Sequence, residues 1–195
     1  RVRTYVLRDM TESIGGFFSA EDADSEGEEG RFYLWREDEV RDILDDKEAE
    51  LVVSVYNIER KGNFTDPLTG TRNGSNIPYL KSGTAPETIH EGVIETARLK
   101  LFETREKRTL PGRDDKVLVD WNGLMIAALG KASQVSGSGI YLEAAGRAAD
   151  FALTKMHDRK GRLFHRYRES ELSVPAFLDD YAFMTWGLIE LYEAG

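Results

Sequence analysis

The 195 residues contain no cysteine, only three histidines and only five prolines. Without cysteine the chain can form no disulfide, no thiol nucleophile and no thiolate zinc site. No apolar run approaches the roughly 18 residues of a membrane span, and the charged segment Arg1–Met10 is not a signal peptide. Positive charge is also short: 26 Lys and Arg stand against 35 Asp and Glu, a net charge of −9. Nucleic acids and anionic membranes need basic surface, so neither is expected as a partner. There is no phosphate-cradling glycine motif, no Ser-His-Asp pattern and no zinc-ligand spacing. The chain opens on Arg1 rather than Met, so the expectation is a piece of a larger, cytoplasmic protein. The glycosylation-type patterns at Asn63 and Asn73 are read as chance matches.

What the chain does have is 41% hydrophobic residues, enough for a core, and a length that suits one compact domain, residues 1–195. Its oddest stretch is Phe17–Trp35. Six carboxylates and no base lie between Glu21 and Gly30, flanked by Phe17 and Phe18 on one side and Phe32, Tyr33, Leu34 and Trp35 on the other. The pattern predicts an acidic hairpin-like excursion pinned by aromatics, with Arg31–Trp35 as its second arm.

The rest reads mainly as helices. Arg1–Glu12 is expected to end a helix before Gly15-Gly16. Glu37–Asp45 is a short helix, and Asp46 is placed to cap the next, with Leu51/Val55 and Val52/Tyr56 as i,i+4 pairs. Asn57–Gly83 is a long polar loop of the kind that is functional or stabilised by a neighbour. Thr84-x-x-Glu87 is a capping box for a helix that could run to Arg108. A second helix starts at Asp120, with Trp121, Leu124/Met125, Ala128 and Ala132 inward. A third carries Tyr141, Ala144/Ala145, Ala148 and Ala152 inward. Gly161–Tyr167 is a hairpin strand. The last helix, Pro175–Ala194, carries Phe177, Tyr181, Met184, Leu188 and Leu191 along one face. Antiparallel helix pairs with long loops at one rim suit a helical-hairpin toroid.

Phe17-Phe18-Ser19-Ala20-Glu21-Asp22-Ala23-Asp24-Ser25-Glu26-Gly27, Phe32-Tyr33-Leu34-Trp35, Asp114–Leu118 running into Trp121-Asn122-Gly123-Leu124, and Ala176–Ala182 occur in that order. Together they resemble the spermatogenesis-associated protein 20 / YyaL-type family. The resemblance implies a thioredoxin-like domain followed by an (α/α)6 toroid similar to six-hairpin glycosidases and N-acylglucosamine 2-epimerases. The cysteine-free chain would then be part of the toroid only, mainly α, with short β-hairpins in the rim loops. An exposed toroid edge would permit a homodimer. Two positions depart from the family pattern: Val119-Asp120 precedes Trp121, and Arg36 stands where a small hydroxyl cap is expected.

Several groups could carry chemistry. Asp22, Asp24 and Glu26, followed by Gly27, open like a calcium loop, but Tyr33 stands at the closing position, so a bound cation there is only a weak expectation and no other cofactor is expected. Asp179 and Asp180 begin the last helix, where the helix dipole favours carboxylates. They project about 100° apart, so one of them would need a partner elsewhere, such as Asp22, Asp24 or Asp115. Trp121 is either core or a flat face for a sugar, Asn122 offers an amide, and Tyr181 is core by spacing with a hydroxyl that could reach the rim. His165 is a lone histidine that suits either a structural or an acid–base role. The expectations are therefore Asp179, Asp180 and His165 as catalytic groups, with Asp22, Asp24, Asp115, Trp121, Asn122 and Tyr181 around a sugar or polyol. The alternative is a non-catalytic scaffold serving a thioredoxin-like redox domain.

Overall fold

The structure, a computed structural model, describes residues 2–67, 69–80 and 91–195. The helices are α1 (Val2–Asp9), α2 (Glu37–Ile43), α3 (Asp46–Val55), α4 (Glu91–Arg105), α5 (Val119–Ser136), α6 (Gly139–Lys155) and α7 (Leu178–Ala194). The strands are short: β1 (Ala20–Glu21), β2 (Asp24–Ser25), β3 (Glu28–Glu29), β4 (Trp35–Arg36), β5 (Ser75–Asn76), β6 (Arg113–Asp114), β7 (Val117–Leu118), β8 (Phe164–Arg168) and β9 (Glu171–Pro175). The protein is mainly α with antiparallel strand pairs. It forms two compact units, one of Arg1–Glu21 with Arg113–Gly195 and one of Asp22–Gly112. The expected capping box at Thr84–Glu87 lies outside the described residues.

In the first unit α5, α6 and α7 carry the core. Ile126 and Leu129 of α5, the alanine stripe Ala144/Ala145/Ala148/Ala149/Ala152 with Phe151 of α6, and Met184 of α7 pack with Phe17 and Val117. The two-residue turn Gly137–Ser138, with Gly137 left-handed at φ 67°, folds α6 back along α5. The contact between α5 and α7 is made by glycine. A Cβ on Gly123 would stand 2.5 Å from the Phe183 carbonyl, and one on Gly187 2.5 Å from the Gly123 oxygen. At Gly130 the nearest atom would be the Glu190 oxygen, 2.9 Å away. Seven residues along α5 therefore match seven along α7. The two helices run parallel and start at the same end.

This contact corrects the faces expected from sequence. The buried positions of α5 are Val119, Asn122, Gly123, Ile126, Ala127, Leu129, Gly130 and Ser133, while Trp121, Leu124 and Ala128 are exposed. On α7, Met184 is buried and Leu188 and Leu191 pack on the core, but Phe177 and Tyr181 are exposed and Asp180 and Gly187 are buried instead. Bulky apolar side chains cannot occupy a seam where two backbones touch. The α6 face agrees with the expected one. The hairpin arm also agrees: β8 pairs with β9 and with β7.

The second unit packs Trp35, Val40, Leu44, Val52, Val55, Ile58, Ile94 and Ala97 into a separate core. Asp45, not Asp46, caps α3: its Oδ1 accepts from Glu48 N at 2.9 Å, and Glu48 Oε2 accepts from Asp45 N at 3.2 Å. The helix expected to reach Arg108 ends at Arg105. The acidic hairpin is tighter than expected, with β2 paired to β3 and the turn made by Glu26 and Gly27 at φ 54° and 78°. Arg31–Leu34 is not its second arm. Arg108 holds that segment by donating to Phe32 O at 2.8 Å and Leu34 O at 2.9 Å and by lying 4.1 Å over the Trp35 ring. The segments 59–63 and 74–76 are organised by the buried amide of Asn76. Its Oδ1 accepts from Glu59 N (2.8 Å) and Asn63 N (3.1 Å), and its Nδ2 donates to carbonyls that include Trp35 O.

Three measurements check these packing arguments. Gly187→Ala should cost about 1–3 kcal/mol in urea unfolding, because the added methyl group overlaps the α5 backbone. Asn76→Ala strands two amides and their carbonyl partners, at about 1–3 kcal/mol per unsatisfied group, and should speed hydrogen exchange at Glu59 and Asn63. Across the α5–α7 seam, Lys131 lies 2.6 Å from Glu190, which also accepts from the Trp186 indole at 2.9 Å. Lys131 first, then Trp186, hold the Glu190 carboxyl below its ordinary pKa of 4.5. A depressed pKa contributes stability that is present above the unfolded value and lost as pH falls through the folded one. The stability difference between wild type and Glu190→Gln should therefore shrink in urea titrations as pH is lowered below about 4.5.

Candidate functional site

The parallel start of α5 and α7 sets a histidine between two aspartates. His165 sits mid-strand in β8, beside β7, which runs directly into α5. Its Nδ1 lies 2.8 Å from Asp180 Oδ1 and 4.0 Å from Asp120 Oδ1. Asp180 is 1% exposed, and its second oxygen accepts from Phe177 N at 2.7 Å, one half of a capping box at the start of α7. A carboxylate only accepts, so the Asp180 bond places the proton of the neutral ring on Nδ1 and leaves Nε2 as the free base. The Phe177 ring meets the imidazole edge-on, with centroids 5.6 Å apart. Asp120 Oδ1 accepts from Trp121 N at 2.8 Å, and the Trp121 side chain beside it is 52% exposed.

The strand opposite His165 is strained. The register pairs Phe164 with Pro175 and Arg166 with Ser173, which sets Val174 across from His165. Val174 has φ 61°, a left-handed conformation that a β-branched residue rarely adopts. Such strain persists only where the surroundings over-determine it. Here the β-ladder holds one side, and the Phe177–Asp180 bond holds the other.

Of the expected site residues, the structure brings Asp180 and His165 into direct contact. Asp179 is exposed on a different side of α7. Asn122 is not available to a ligand: it is 2% exposed, its Oδ1 accepts from Phe17 N (2.8 Å), and its Nδ2 donates to Phe17 O (3.0 Å) and Leu118 O (2.8 Å). Its role is to fasten the segment after Gly16 to α5. Asp115 pairs with Arg168 at 2.6 Å, three residues along β8 from His165 and so roughly 10 Å further along the strand. Trp121 and Tyr181 are both about half exposed, which corrects the expectation that spacing makes Tyr181 core.

Asp22 and Asp24 belong to the second unit, where Asp22 Oδ1 accepts from Asp24 N at 3.2 Å. Arg31 lies 2.9 Å from Glu26 and 2.8 Å from Glu28, so of the three carboxylates expected to open a cation loop only Glu26 has a guanidinium partner among the described residues. His90 lies outside the described residues. His157 follows α6, with its ring nitrogens against the carbonyls of Asp158 and Leu153, contacts that raise its pKa.

Asp120 is the member that sequence reasoning missed; it stood there only as the start of a helix and a departure from the family pattern. The helix in fact starts one residue earlier, with Leu118 as a cap that makes no side-chain bond. A signal was present. Asp120-Trp121 and Asp180-Tyr181 are the same acid–aromatic pair, one in the first turn of each parallel helix.

Spermatogenesis-associated protein 20 of Rattus norvegicus is 31% identical over 97% of this chain, and the human protein of that name is 32% identical over 97%. Over nearly all of its length the chain is similar to the spermatogenesis-associated protein 20 family. An uncharacterised Caenorhabditis elegans protein is 30% identical over 95% of the chain. The chain spans 28% of the length of the rat and human relatives and 30% of the worm protein. No protein-family model matches it. Among the described residues, no helix is long and apolar enough to cross a membrane.

Proposed function

We propose that His165, Asp180 and Asp120 form a general acid–base site for a carbohydrate or another polyol, at one end of an α/α toroid of which α5, α6 and α7 are a part. The observation that carries the reading is the 2.8 Å bond from His165 Nδ1 to a carboxylate that is 1% exposed. That bond orients the ring and compensates the charge that develops when Nε2 takes a proton. Asp120 would accept from a neighbouring ligand hydroxyl, and the exposed Trp121 ring offers a face for the apolar side of a sugar. The parallel α5/α7 pair, joined through α6 folded back along α5, is the unit such a toroid would repeat.

Within sugar chemistry, the geometry favours proton transfer, as in an epimerase or isomerase, over two-carboxylate hydrolysis. Asp180 is buried and both of its oxygens are engaged, so it is not a nucleophile. The test is a sugar and polyol panel followed by Asp180→Asn. Loss of the orienting carboxylate should lower kcat by about 10²–10⁴-fold with KM little changed. Undiminished turnover in that variant would refute the assignment.

The second reading is a non-catalytic scaffold for a thioredoxin-like redox domain or a second copy of the chain. It draws on Leu178, Tyr181, Ile189 and Tyr192, an exposed stripe of α7. In that case Tyr192→Asp would abolish association and Asp180→Asn would not.

A further inference from the structure

We propose that Asp120, His165 and Asp180 also bind a divalent transition-metal cation of the zinc type, and that the bound cation switches off the acid–base group. One ligand atom from each residue lies within 4.8 Å of the others. A tetrahedral ion held at about 2.0–2.2 Å by nitrogen and carboxylate oxygen spaces adjacent ligands about 3.3–3.6 Å apart. The His165–Asp180 contact, at 2.8 Å, opens to admit the ion in place of the hydrogen bond. The 4.0 Å gap to Asp120 closes by a rotation of that carboxylate.

Charge points the same way. Two carboxylates, one of them buried, crowd together, and among the described residues the only basic group within ion-pair distance of either is His165 itself. A dication balances both. The Phe177 N–H on the outer oxygen of Asp180 supplies the kind of supporting hydrogen bond that holds a ligating carboxylate in place. Three protein ligands leave at least one coordination position for water.

Occupancy changes the tautomer. The metal takes the Nδ1 lone pair, so the ring proton moves from Nδ1 to Nε2 and no net proton need be released. Nε2 then carries hydrogen and cannot act as a base. This second step rests on the acid–base reading above; cation binding itself does not.

The experiment is calorimetric titration of the metal-free protein with zinc chloride and, separately, calcium chloride. It is repeated on Asp120→Asn, His165→Gln and His157→Gln, with the fold of each checked by circular dichroism. The expected result is one zinc site that weakens at least tenfold in Asp120→Asn and His165→Gln, is unchanged in His157→Gln and takes up no calcium. In the ¹⁵N spectrum the His165 Nδ1 resonance should move on zinc addition. Absence of zinc uptake near 1:1, or uptake equally strong in Asp120→Asn and His165→Gln, would overturn the proposal. Turnover on the sugar panel separates the two claims. Zinc that binds at the triad without inhibiting turnover sinks the acid–base reading and the switch with it but leaves the cation site standing, and turnover in a protein without zinc affinity sinks the cation site alone.

Discussion

The contact on which the first unit depends is the approach of two helix backbones at Gly123 and Gly187. With no side chain between them, α5 and α7 lie close enough for the Gly123 carbonyl to fill the space where a Gly187 Cβ would stand. Dispersion at such a seam is weak atom by atom and large in sum. Its consequence is positional. Because the helices run parallel, their first turns come together, and each first turn carries an aspartate. A bulkier residue at either glycine would move Asp120 and Asp180 apart without touching either of them.

Buried amides hold the irregular segments of both units. Asn122 bonds the Phe17 main chain on both sides and ties it to α5. Asn76 does the same for the segments 59–63 and 74–76 in the other unit. An amide has donors and an acceptor in one rigid plane, so it can satisfy several main-chain groups that have no strand or helix partner. Asn122 was a plausible ligand group in the sequence, and its burial shows why composition alone misleads. A polar side chain in a loop-rich protein is as apt to serve the loop as a substrate.

At the site, burial divides the labour. Asp180 is enclosed and spent on two hydrogen bonds, so its effect is exerted through His165. His165 and Asp120 keep partial exposure, and Trp121 stands open beside them. Val174, opposite His165, holds a left-handed conformation that is unfavourable for a β-branched residue.

Much of the helical framework was legible in the chain: the alanine stripe of α6, the β8 arm, the short helix before the capped α3, and the family motifs. Periodicity and turn residues act locally, so they can be read locally. His165 and Asp180 were legible as candidates because histidine is scarce and a carboxylate at a helix start stands out. Their pairing was not, and neither were the role of Asp120, the exposure of Trp121 and Tyr181, and the engagement of Asn122. Those depend on which faces of α5 and α7 meet. Helix positions and the acids that begin them follow from local pattern along the chain. That glycines, rather than the larger apolar residues, form the seam follows only from packing, because close backbone approach is a property of two helices together and the bulky apolar spacing of either one points elsewhere.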